Sequence, residues 1–188
     1  LIWSADDGNT ILYDTISYVV IPPINYVDPP IGLVDGINYI NDSTVTLKFF
    51  APEKSTVNLI GEHNNWEVNS SSFMSLSTDS SYWWKTISNL TPGLKYTYQY
   101  LVDGIIKIAD PLSPLILDPN NDVNIGALNY PNPITYPSKT NGFVTVMEPG
   151  KNPYNWINTN FNPPEKKDLL IYESLVRDFL STHIYQTL

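Results

Sequence analysis

Cysteine is absent from this chain. Its absence excludes a disulfide framework, a thiolate metal site and a thiol nucleophile, and it leaves the redox compartment unread. Charge is scarce as well: only 15% of the residues are Asp, Glu, Lys or Arg, and their balance is −9. A net negative surface repels phosphate backbones and anionic lipid headgroups, so neither nucleic acid nor a membrane surface is an expected partner. No apolar run approaches the roughly 18 residues that span a bilayer. The first residues, LIWSADDGNTILY, lack a basic n-region and interrupt their apolar stretch with Asp6, Asp7 and Gly8, which is not the pattern of a signal peptide.

Aromatics, prolines and β-branched residues are plentiful. Thirteen tyrosines, five tryptophans and sixteen prolines in 188 residues describe short strands joined by many turns, with 42% hydrophobic residues to build a core. A mainly β protein is expected.

Residues 11–21, ILYDTISYVVI, read as a strand preceded by a DDGN hairpin turn. Two strands alone bury too little to be stable, so residues 1–21 are assigned to the end of an upstream β domain. The proline pairs of 22–35 fix φ and make that stretch a stiff linker. In TVTLKFF, Val45, Leu47 and Phe49 alternate with Thr44, Thr46 and Lys48, the pattern of a half-buried strand. TVNLIGEHNNW gives a second strand running into a polar loop that carries Trp66. SYWWKTI gives a third, with Trp83 and Trp84 on opposite faces. In YTYQYLVDGIIKIAD, Asp103 and Gly104 supply the positive φ of a two-residue hairpin turn. Tyr96, Tyr98 and Tyr100 share one face of that hairpin and read as packing rather than as a binding stripe.

Strands about ten residues apart with turn chemistry between them predict an immunoglobulin-like antiparallel β-sandwich over 36–126. Residues 127–167, with Pro131, Pro133, Pro137, Pro149, Pro153, Pro163 and Pro164, read as an irregular connection with one strand at GFVTVME. DLLIYE is a continuous apolar strand of the kind buried in a parallel sheet, and STHIYQTL follows as a helix start capped by Ser181 or Thr182. Residues 168–188 are thus expected to be the first unit of a severed β/α array.

The order GEHNNW, YWWKTISNLTPGLKYTYQYLVDG, IADPLSP resembles carbohydrate-binding module family 48, an early-set immunoglobulin-like domain. LLIYESLVRDF is similar to the first barrel strand of the α-amylase family, glycoside hydrolase family 13. The resemblance implies a non-catalytic N-terminal region of an enzyme acting on α-glucans such as starch or glycogen, secreted or at the surface of a bacterium, with the sandwich packed on the barrel. A free-standing glycan-binding module and a structural spacer are the alternatives. In that family the catalytic carboxylates lie on later barrel strands, and a retaining pair needs a closed barrel of about 250 residues to hold it. Glu173, Arg177 and Asp178 therefore read as strand and loop residues, no catalytic residue is assigned, and the chain alone is expected to be inactive.

For carbohydrate the candidates are Trp66, whose indole can stack on a glucose face, with Asn65 and Gln99 as hydrogen-bond partners. A loop anchor tucked against the sandwich is the other reading of Trp66. Aligned on the VDG turn, Ile106 stands where the family has a second aromatic platform and Gln99 where it has a lysine. DPNND, 118–122, is oxygen-rich but lacks the glycine and distal glutamate of a calcium loop, and His63 and His183 form no ligand pair. No cofactor or metal is expected.

Overall fold

The structure, a computed structural model, describes residues 2–15, 20–153, 155–157 and 160–175. The first two strands, β1 (Ile2–Asp6) and β2 (Ile11–Thr15), pair antiparallel into a sheet of their own. The turn between them is stitched by carboxylates: Asp6 Oδ1 accepts from the Gly8 N–H, and Asp7 Oδ1 from those of Asn9 and Thr10. Those backbone donors hold Asp7 below the usual carboxylate range. Ile2, Leu12 and Tyr13 remain exposed, as expected of a hairpin too small to bury its own apolar side chains.

The sandwich is built from two antiparallel sheets. One has the order β3 (Gly36–Asn41), β4 (Thr44–Phe50), β7 (Tyr82–Ile87), β6 (Ser75–Leu76). The other runs β10 (Ile116–Leu117), β11 (Val144–Met147), β8 (Tyr96–Val102), β5 (Val57–Gly61), with β9 (Ile106–Ile108) also on β8.

The alternation in TVTLKFF places Val45, Leu47 and Phe49 in the core, opposite Ile87, Lys85 and Trp83 of β7. Trp83 and Trp84 do point to opposite faces. Trp83 is buried and donates its Nε1–H to Ala51 O at 3.0 Å, whereas half-buried Trp84 reaches Val27 O at 2.7 Å. From the other sheet come Val57, Leu59, Tyr98, Tyr100, Val102 and Met147. Phe49 and Tyr100 stack across the core with ring centroids 4.4 Å apart. The tyrosine row is packing, as expected. Both buried phenols donate to one carboxylate oxygen, Asp110 Oδ2, at 2.9 Å from Tyr98 and 3.0 Å from Tyr100. The Leu112 N–H satisfies Asp110 Oδ1. A buried charge is tolerable only with such donors. Burial, with the neighbouring Asp110, pushes both phenols well above the usual range. The turn after β8 has both Asp103 and Gly104 at positive φ, and the Asp103 carboxylate accepts the N–H groups of Ser55 and Thr56.

Three expectations need correction. The sandwich does not end at residue 126: β11 lies beyond it, is buried along its whole length and pairs with both β8 and β10. The prolines around it set loops without preventing a four-residue strand. The linker is not a free spacer either. Its residues 25–27 run along β6, with Leu76 N–H to Asn25 O at 3.0 Å and Val27 N–H to Leu76 O at 2.9 Å, while Asp28 Oδ1 accepts from the Thr78 N–H and hydroxyl. This covers an otherwise open sheet edge. Finally, the described part of DLLIYE is no strand. Residues 169–175 make no ladder among the described residues, and Leu170, Ile171 and Tyr172 are exposed. High strand propensity forms no strand without a neighbour to share its hydrogen bonds. Residues 176–188, with the expected helix start, lie outside the described residues.

Candidate functional site

The loop carrying Trp66 leaves β5 at Gly61. This glycine has an extended backbone (φ 174°), but a Cβ there would lie 2.4 Å from Thr97 O and 2.8 Å from the Tyr98 Cβ, so the strand crosses β8 where no side chain fits. A short 3-10 turn, Glu62–Asn64, follows. Asn64 fixes it from within: Oδ1 accepts the Gly61 N–H, and Nδ2 donates to Leu59 O at 3.0 Å and Glu67 O at 3.3 Å. Glu62 Oε2 anchors the turn to β8 through the Thr97 N–H at 2.7 Å.

Two consecutive residues then adopt left-handed backbone conformations, Asn65 at φ 58° and Trp66 at φ 64°. Asparagine tolerates this region; a bulky tryptophan pays for it with strain of order 1 kcal/mol or more. The strain is held by Asn65 N–H to Glu62 O at 3.3 Å and Trp66 N–H to Gly61 O at 2.8 Å.

The indole is half-buried and leans on a second apolar cluster formed by Leu117, Val144 and Val146, beside Ile134 and Tyr136. The rest of it borders a cleft of about 240 Å³ shared with Glu62, Asn65, Pro137, Ser138 and Lys139. Lys139 Nζ donates to Asn65 Oδ1, and Asn65 Nδ2 donates to Glu67 Oε1. Trp66 and Asn65 therefore meet as the sequence implied, and a lysine joins them. Lys139 was not foreseen: it lies 74 residues away in a proline-rich segment without periodicity, and nothing local points it at the NNW loop.

Gln99 does not join the site, which is a correction. It is 0% exposed. Its Nε2 donates to Asn141 O at 2.8 Å and Phe143 O at 2.7 Å, and its Oε1 accepts from the Thr140 hydroxyl at 2.5 Å. The segment before β11 folds over β8 and uses this amide as its tether. Ile106, by contrast, is exposed on β9.

The carboxylates of the 118–122 stretch are occupied by their own loop. Asp118 accepts from the N–H groups of Asn120 and Asn121 and from the Asn121 amide, which hold its carboxyl below the usual range, while Asp122 Oδ2 accepts the Asp118 N–H. No group of three or more potential ligating residues gathers among the described residues. His63 lies half-buried in the 3-10 turn, and neither ring nitrogen has a hydrogen-bond partner among the described residues. Burial, with the Lys85 ammonium nearby, lowers its pKa to about 4, so the ring is neutral near pH 7.

These features place the chain among known proteins. The family model for carbohydrate-binding module 48, the isoamylase N-terminal domain, matches residues 36–120. Those residues are similar to that family's module. The module as folded extends past the matched part, because β11 completes its second sheet. No curated protein matches the chain. Similar solved structures include a protein provisionally named alpha amylase from Salmonella typhimurium, 20% identical with a TM-score of 0.34, the match covering 42% of this chain and 12% of that one. Ligand-free PulA from Klebsiella pneumoniae is 22% identical with a TM-score of 0.37, the match covering 53% of this chain and 10% of that one. The chain thus spans a small part of either protein.

Proposed function

We propose that the module is the accessory sandwich of an α-amylase-family glycoside hydrolase, and that it contacts an α-glucan such as starch or glycogen through the cleft at Trp66. The observation that carries this reading is the strained tryptophan. In a carbohydrate-binding family, a half-open indole sits in left-handed backbone beside an amide and an ammonium. A glucose ring stacks on the indole face through its C–H groups. Asn65 and Lys139 offer hydroxyl-binding groups at the rim. At about 240 Å³ the cleft has room for one or two glucose units, so weak binding is expected.

Packing on a catalytic barrel is the second half of the proposal. Val123 and Leu128 are exposed, and a hollow of about 160 Å³ is lined by Leu115, Leu117, Ile125, Tyr130 and Ile134. An apolar hollow with exposed apolar residues nearby in sequence supports an intramolecular partner. Hydrolysis itself belongs to residues outside the described chain in this reading.

A structural spacer is the rival. Burial of Gln99 and half-burial of Trp66 favour it, since both spend their contacts on the fold. Affinity electrophoresis in amylopectin and calorimetry with β-cyclodextrin separate the two. Glycan binding predicts at least about tenfold weaker binding in Trp66→Ala, the loss of one stacking contact of ~1.5 kcal/mol. If wild type and Trp66→Ala bind alike, or neither binds, the spacer reading stands.

A further inference from the structure

A larger cleft, about 320 Å³, opens between the β5 and β6 edges and the docked linker, with none of its lining residues shared with the Trp66 cleft. Its walls are Pro22, Pro23 and Asn25 of the linker, Phe73 and Met74 of the crossover into β6, and Trp83 and Lys85 of β7. Lys85 is unusual there. It lies opposite Leu47 in the register and shares the inward face of β7 with Trp83 and Ile87, so its stem enters the space between the sheets.

Its ammonium has one hydrogen-bond acceptor, Phe73 O at 3.1 Å, out of three it can serve. No carboxylate lies within ion-pair distance of it among the described residues, where the ion pairs are Lys48–Asp35 and Lys167–Glu165. Burial alone holds the ammonium below the usual lysine range. The nearby His63 is neutral near pH 7 and adds no second positive charge. The hydroxyls of Thr56 and Ser70 also line the cleft and make no hydrogen bond to protein among the described residues, and Asn25 Nδ2 reaches Ser75 Oγ at 3.0 Å on the same wall. A half-desolvated cation with two spare donors, beside hydroxyls and a carboxamide, is the chemistry that receives an oxyanion.

We propose that this cleft is a binding site for a small oxyanion, a phosphate or carboxylate group held by Lys85. It is separate from the Trp66 cleft and does not depend on glycan binding there. The overall charge of −9 opposes anion approach, so the site is expected to be modest in affinity and to act through local desolvation.

The test is a backbone amide NMR titration of the 188-residue chain at constant ionic strength with inorganic phosphate, acetate and, as a neutral control, maltose. Saturable shifts at Phe73, Ser75 and Lys85 with phosphate or acetate, weakened about tenfold or more in Lys85→Met, are expected. Ser70→Trp, which fills the cleft without removing the charge, is expected to abolish them even if Lys85→Met folds poorly. Phosphate response with no acetate response assigns the site to phosphate, and the reverse assigns it to carboxylates. No saturation with either anion, an equal response to maltose, or binding that survives both substitutions overturns the proposal.

Discussion

The two sheets of the sandwich have the same strand chemistry but different outer faces. In β4 and β7 burial alternates except at outward-facing Thr46, buried against the Thr86 hydroxyl at 2.8 Å: Phe49 and Trp83 face the core while Phe50, 56% exposed, packs edge-on to half-buried Tyr82 at 5.3 Å. In β5, β8 and β11 burial is nearly continuous, because the segment from Leu115 to Phe143 folds over the outer face and inserts its own cluster. One sheet is bare and the other is roofed. The difference shows why a position on a strand does not by itself define a binding surface. Gln99 stands on the roofed face and is spent on holding the roof. Lys48, on the other sheet's outer face, is half-buried and pairs with Asp35 at 2.8 Å while lying 4.0 Å over the Tyr82 ring.

Substitutions on each side sharpen that contrast. The largest effect is expected at the base of the roofed sheet: Gly61→Ala drives a methyl into Thr97 O and is expected to cost about 3 kcal/mol, read as a lower urea midpoint. Next, Gln99→Ala strands the Asn141 and Phe143 carbonyls and should cost about 2 kcal/mol, with faster amide exchange in β11. If Gln99→Ala is neutral, the roof is not tethered there. On the bare face Lys48→Ala loses a surface ion pair and a cation–π contact, so no more than about 1 kcal/mol is expected.

Between the faces, His63 makes stability depend on pH. Its folded pKa, about 4, lies below the ordinary histidine value of 6.5, so the unfolded chain takes up the proton first. Its contribution is fully present above pH 6.5 and is lost as pH falls toward 4, by up to about 3 kcal/mol. His63→Leu also removes two unpartnered ring nitrogens. That variant should match or exceed wild-type stability at pH 7 and should lose less of it at pH 4.5 in denaturant titrations. An unchanged acid limb would remove His63 from the explanation.

Much of the bare sheet was legible in the sequence because its alternation is the two-residue period of a sheet with one wet face. TVTLKFF gives Val45, Leu47 and Phe49 their face, and YWWKTI sends its tryptophans to opposite sides. The Asp103–Gly104 turn was legible because positive φ selects those residues. The roof was not. Its contacts are made by backbone carbonyls of a loop 42 and 44 residues beyond Gln99, and backbone carbonyls leave no mark in side-chain periodicity. Lys139 was hidden for another reason: its side chain meets Asn65 across 74 residues of sequence, from a segment without periodicity. DLLIYE shows the opposite failure: its composition asks for a strand, but residues 169–175 find no neighbour among the described residues.

The account rests on glycan meeting the half-open cleft at the rim of the roofed sheet rather than the bare aromatic face. An NMR titration with maltoheptaose, following the Trp66 and Trp84 indole N–H signals with the amides of Asn65, Lys139 and Tyr82, reads both faces at once. Saturable shifts at Trp66, Asn65 and Lys139 with Trp84 and Tyr82 unmoved are expected; shifts centred on Tyr82 and Trp84, or none at all, would contradict it.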